Sequence, residues 1–319
     1  MVSANAFAPV AITDRNHFDE SIHFGAVVGV GPTGQIEYTI GDPHTTIYPR
    51  SSNKPMQAVA MLRAGLQLPP ELLAVACASH DGTKMHTDAV LQILDGCGLD
   101  AEALANTPSL PLDTDAELEV LCAGVKPSAL MMNCSGKHAG MLATCVHNGW
   151  VHDPSYLHVD HLLQRAITAA IDELCAEPHA HIGVDGCGAP AHAMSLLGLA
   201  RAFRSIADGS AGAAGDAVYT AMTAHPDMVG GRMRDVTLFM QHVPRLMAKD
   251  GADGVFAAAL PDGRAVALKI ADGGDRARPP VMVAALRALG VDVAAVEPLV
   301  QERIMGHGRQ VGLVRAVVK

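Results

Sequence analysis

The sequence predicts an α+β fold, an antiparallel sheet flanked by helices with a large helical insertion. Strand patterns stand near the two ends of the chain and in one hairpin far along it. Helical patterns crowd the stretch between, and neither a repeat nor a low-complexity linker divides the chain. Strands so distant in sequence must meet to pair, so the sheet joins the termini and helices fill residues 54 to 250.

The elements follow in order. "FGAVVGV–GPTG–QIEYTIG" reads as two strands around a Gly-containing turn. "KPMQAVAMLRAG" reads as a helix with Pro55 in its first turn, where proline is tolerated. An apolar run then ends at "CASHDG", where a buried helix breaks into a turn. "HTDAVLQILDGCG", "GKHAGMLATCVHNG" and "VDHLLQRAITAAIDELC" carry helical spacing. "HIGV" is a short strand-like run before a Gly-rich turn. Residues 255 to 270, "VFAAAL–PDG–RAVALKI", repeat the hairpin signature; "PPVMVAALRALG" is a helix and "QVGLVRAVV" a last strand.

Composition limits the function. With 319 residues the chain buries a sizeable core, and with 49% hydrophobic but 3% aromatic residues that core is built from Ala, Val, Leu and Met. A net charge of −10 without a basic block excludes nucleic acid and acidic membrane surfaces as partners. No apolar run reaches membrane-spanning length, and no signal peptide is visible. Seven cysteines, an odd number, then read as reduced thiols in the cytoplasm.

The chemistry concentrates in a few stretches. "YPRSSNKPMQ" sets Ser51 and Lys54 three apart at a helix start, on one face, where an amine can take the serine proton and backbone N–H groups can receive an oxyanion. Alone, the same spacing also describes a serine cap followed by a solvated lysine. "CASHDG" adds Ser79, and "LMAKDGADGVFAAAL" puts Lys249 and a glycine just before a central strand, as serine acyl-transfer enzymes of the penicillin-binding type hold their third motif. Lys269 in "ALKIADGGDRA" competes for that role. "NCSGKHAGM" places Cys134 and Lys137 on one helix face, and "HIGVDGCGAP" places Cys187 in a Gly-rich turn near Asp185. Two thiols and a deprotonated lysine make a set that holds zinc; two buried small hydrophobes are the plain alternative. "HVDH" at 158 to 161 and "HAH" at 179 to 181 read as exposed polar residues.

Together "RSSNKPMQ", "CASHDG", "NCSGKHAGML", "DGCGAP", "AHPDMVGG" and "KDGADGVFAAALPDG" resemble the class 3, or rhizobial-type, L-asparaginases of the asparaginase II family. The six motifs occur in order, so the resemblance implies one catalytic domain over residues 1–319. It implies a fold similar to serine β-lactamases and glutaminases (penicillin-binding-like), a homodimer, and a zinc ion in each protomer. By motif, Ser51 is the nucleophile with Lys54 as its base, and Ser79 with Lys249 forms a second serine–lysine pair. Cys134, Lys137 and Cys187 are the metal ligands; Arg50, His138 and Asp185 help hold the substrate, L-asparagine. Asp81 follows Ser-His where the family pattern leads one to expect a small polar residue. A glutaminase or broader amidase, a penicillin-binding or peptidase-like protein, and a non-enzymatic zinc module are the competing readings.

Overall fold

A computed structural model describes residues 3–317. Its main sheet has eight antiparallel strands. The strands are β1 (Ala8–Arg15), β2 (Phe18–Val30), β3 (Ile36–Ile40), β7 (Met247–Gly251), β8 (Val255–Ala259), β9 (Ala265–Ile270), β10 (Arg303–Gly306) and β11 (Arg309–Ala316). Their order is β10-β11-β1-β2-β9-β8-β7, with β3 pairing β2 alongside. Thus β11 lies on β1, and the sheet joins the two ends of the chain. The expected hairpins are β2–β3 and β8–β9.

Helices α1 (Lys54–Arg63), α2 (Pro70–Ala76), α3 (Lys84–Asp95), α4 (Thr114–Cys122), α5 (Ser135–Asn148), α6 (Leu162–Cys175), α7 (Leu196–Ala207), α8 (Gly212–Ala224), α9 (Pro226–Val229) and α10 (Asp235–His242) fill the insertion. The last helix, α11 (Arg278–Ala288), follows the β8–β9 hairpin. Successive residues Ala265–Leu268 point to opposite sheet faces, yet all are buried, so the sheet centre is covered on both sides. Helices α7 and α11 pack on it.

The structure corrects three expectations. A small sheet of β4 (Thr46–Ile47), β6 (Pro190–Ser195) and β5 (His181–Val184) interrupts the helical region. Strand β1 lies outside the expected strands; its tight turn onto β2 uses Asn16 and His17, both at positive φ, the signature of a type I′ hairpin. Lys249 lies within β7, at the end of the strand path, rather than before a central strand. "MAKDG" has a charged pair and a glycine, poor strand formers in isolation, and tertiary packing overrides that.

Strand β7 meets the turn that carries Ser51. Ser52 Oγ donates to the Lys249 carbonyl at 3.0 Å. A Cβ on Gly251 would sit 2.4 Å from the Pro49 carbonyl oxygen, so only glycine lets strand and turn approach this closely. That contact explains the glycine two residues beyond Lys249.

Candidate active site

A 3₁₀ turn, Arg50–Asn53, leads directly into α1, with Lys54 the first residue of the helix and Pro55 next. Arg50 has φ +52°, a left-handed conformation that costs a side-chain-bearing residue about 1–3 kcal/mol. The turn is held by the Arg50 guanidinium, which donates to Asp185 Oδ1 at 2.9 Å and also pairs with Asp253. Ser51 follows, half-buried on the wall of a cavity of about 230 Å³. Ser79, Asn133, Cys134, Asp185, Cys187 and Arg234 share that wall.

Behind the cavity lie lysines that are anything but solvated. Lys54, Lys137 and Lys249 are each at most 2% exposed. A buried ammonium without partners costs several kcal/mol, so each must be paired. Lys54 Nζ donates to Ser79 Oγ at 3.1 Å and to the Ala78 carbonyl. Lys249 Nζ donates to the Asp250 carbonyl at 2.7 Å and pairs with the Asp250 carboxylate. Burial lowers Lys249 to about 8; Asp250 opposes the shift, and the charge of Lys54 adds to it. Lys54, one helix turn from Ser51, therefore bonds the second serine, while Lys249 bonds a carboxylate. Lys269 lies elsewhere, on β9, donating to the carbonyls of Asp253 and Ile270 and lining a separate cavity.

Asp250 and its cations were not legible beforehand. Arg234 Nη2 donates to Asp250 Oδ2 at 2.7 Å, and Arg234 Nη1 donates to Asp81 Oδ1 at 3.0 Å. Burial would raise Asp250, but Lys249, Arg234 and Arg278 outweigh it and hold its carboxyl well below the usual range. Asp81, unexpected after Ser-His, is thus one end of a chain of ion pairs running Asp81–Arg234–Asp250–Lys249. Gly231, at φ +149°, leaves room for it; a Cβ there would overlap the Asp81 carboxylate at 1.9 Å. Buried Arg278 donates to the Gly251 carbonyl at 3.0 Å and to Asp235 at 3.1 Å.

The thiol cluster gathers at the start of α5. Lys137 Nζ donates to Cys187 Sγ at 3.0 Å, and Cys134 packs with Cys187 and Ala189. The Cys134 thiol and the Lys137 cation, with His138, overcome burial and hold Cys187 well below the usual thiol range. His138 shares a hydrogen bond of 2.7 Å with Tyr156, and its buried Nε2 has no partner in the structure. Burial, with the Lys137 charge, lowers His138 to about 4, so it is neutral. Two sulfurs and an amine fit a soft divalent ion in donor chemistry. Among the described residues no group of three or more His, Cys, Asp and Glu gathers to hold a metal, so a zinc site here depends on the Lys137 amine. The histidine stretches are occupied otherwise. His158 is exposed as expected, but His161 and His179 are half-buried: His161 accepts from the Leu163 N–H at the start of α6, and His179 pairs with Asp172 at 3.0 Å.

No helix among the described residues is long and apolar enough to cross a membrane. No curated protein matches the chain in sequence. Among solved structures it is similar to Mglu in its native form, at 14% identity and TM-score 0.43, over 82% of this chain and 62% of that one. A β-lactamase from Mycobacterium bovis gives 16% identity and TM-score 0.39, over 83% of this chain and 94% of the other. EstCE1, a hydrolase with promiscuous acyltransferase activity, gives 14% identity and TM-score 0.38, over 83% and 93%. The chain thus spans less than two thirds of the length of Mglu. Across residues 11–316 it matches the family described as L-asparaginase II, and to that family it belongs.

Proposed function

We propose that this amidohydrolase is a class 3, rhizobial-type L-asparaginase, converting L-asparagine to L-aspartate and ammonia through a serine acyl-enzyme. One observation carries the reading: two serines and a bonded Arg50–Asp185 pair share one small cavity. Its volume of about 230 Å³ is below the range of drug-sized pockets, roughly 300–1,000 Å³. It suits a free amino acid better than a peptide or a β-lactam. The ammonium and carboxylate of such a substrate leave the same carbon, and adjacent Asp185 and Arg50 offer a partner to each.

Ser51 attacks the side-chain amide carbon as Lys54 takes its proton, and the Ser51 backbone N–H receives the oxyanion. Ser79, bonded to Lys54, and Lys249 pass the proton to the departing ammonia. Water then cleaves the ester, releasing aspartate and restoring the Ser51 hydroxyl. Zinc would be held by Cys134, Lys137 and Cys187, the two thiolates balancing its charge, and would supply a Lewis acid beside the cavity. To serve as a ligand Lys137 must lose its proton, and the ion then neutralises the thiolate in its place.

A homodimer and a cytoplasmic location belong to the same reading. Ile22 and Phe24 project from one face of β2, at 55% and 46% exposure, an apolar pair suited to a second copy. Solution mass measured by light scattering tests the dimer. Ammonia release from asparagine, glutamine and N-acetyl-asparagine tests the activity; equal efficiency on all three means a general amidase.

A further inference from the structure

We propose that Arg234 is a positioning residue for Lys249, acting through Asp250. This rests on the reading above in which Lys249 moves a proton during catalysis. Arg234 stands just before α10 and reaches two carboxylates from distant parts of the chain, Asp81 at 3.0 Å and Asp250 at 2.7 Å. Asp250 gives one oxygen to Arg234 and the other to Lys249. The guanidinium is a planar fork, so anchoring it on Asp81 fixes where its second arm lies. That arm fixes the Asp250 carboxylate, and the carboxylate fixes the direction of the Lys249 amine. Asp81 is buried and Asp250 more so, so the chain runs through low dielectric, where such pairs act strongly.

The influences on the Lys249 proton oppose one another, Asp250 on one side, Lys54 and Arg234 on the other. Asp250 favours the ammonium, whereas Arg234 and Lys54 disfavour it. Cys77, at the end of α2, is also near, but burial pushes its thiol up to about 12, so it stays uncharged near neutral pH. Of the elements packed on β7, strand β8 has no ionisable side chain. The 3₁₀ turn brings Arg50, tied to Asp185 and Asp253. Helix α8 brings Asp216 and Tyr219, the latter donating to the Arg245 carbonyl. Helix α10 brings His242 and Asp235, which is paired with Arg278. Removing the Arg234 charge therefore raises the Lys249 pKa, and removing the Asp250 charge lowers it.

The test is the pH dependence of kcat/KM for asparagine in the full chain. The wild type should show an inflection near pH 8. Arg234→Gln should move it alkaline and Asp250→Asn should move it acid by a larger amount, while Arg234→Lys returns it part of the way to the wild-type position. Lys249→Ala should abolish the inflection along with most of the activity. Inflections unmoved in both charge variants, or moved in the same direction, overturn the proposal. If Lys249→Ala keeps both activity and inflection, the catalytic role of Lys249 fails instead, which is a separate result. Circular dichroism on each variant shows that it is folded; should Asp250→Asn not fold, the alkaline shift in Arg234→Gln and its partial reversal in Arg234→Lys decide.

Discussion

Arg50 donates to Asp185 Oδ1 at 2.9 Å, joining two side chains 135 residues apart in sequence, while Asp253 takes another arm of the guanidinium. An amino acid entering the cavity must share or replace this pair, and its two charges are suited to both partners. Asp185→Asn removes a charge-assisted bond worth about 1.5–3 kcal/mol, so kcat/KM for asparagine should fall about 10- to 100-fold, mainly through KM. The same variant should barely change the poor cleavage of N-acetyl-asparagine, which lacks the ammonium. Steady-state kinetics on both substrates check this.

The Lys54 amine reaches Ser79 and, among the described residues, makes no hydrogen bond to the Ser51 hydroxyl; only the Lys54 backbone N–H bonds Ser51, at its carbonyl. Ser79→Ala should leave substrate binding nearly intact yet lower kcat, by about 100-fold or more, because a positioned proton relay contributes at that scale. An unchanged kcat in a folded Ser79→Ala protein removes Ser79 from the proton path.

The fold should lose stability on acidification through a buried histidine that does not line the cavity. His192, wholly buried on β6, bonds Thr168 at 2.8 Å, and burial followed by the nearby His179 lowers it to about 4. Its folded pKa is depressed, so the unfolded chain takes up a proton first. Stability is then full above about pH 6.5 and lost as pH falls toward about 4, on the order of 3 kcal/mol from this one group. Denaturant midpoints between pH 7 and pH 4 should fall less steeply in His192→Gln than in the wild type.

Metal content should follow the thiols. Cys134→Ser and Cys187→Ser should each lower bound zinc, measured by elemental analysis of purified protein, and should raise KM more than they lower kcat. Equal zinc in the wild type and both variants means that the cluster of Cys134, Lys137 and Cys187 is not its site.

How much of this was readable in the chain depends on the range over which each feature is set. The β2–β3 and β8–β9 hairpins are local, and their alternation and glycine turns announce them. Ser51, Lys54, Cys134 and Lys137 are likewise fixed by one helix start each. The partners of Lys54 and Lys249 are not local. Nothing near residue 54 says that its ammonium meets Ser79, and the link from Asp81 to Asp250 runs through Arg234, which from sequence reads as an ordinary surface charge. Hints existed: Gly231 and Gly251 each leave room for one close contact, with Asp81 and with Pro49. Asn16 at a tight turn likewise marked the missed strand β1.

The central claim is that the Ser51 oxygen attacks the amide of asparagine. Ammonia release by Ser51→Ala, set beside the wild type and Cys134→Ala, tests it most directly. The account predicts that Ser51→Ala loses activity nearly completely while remaining folded, since removing a nucleophile leaves only positioning and oxyanion effects. Ammonia release at the wild-type rate by Ser51→Ala, together with its loss in a folded Cys134→Ala, would make the thiol the nucleophile and contradict the account.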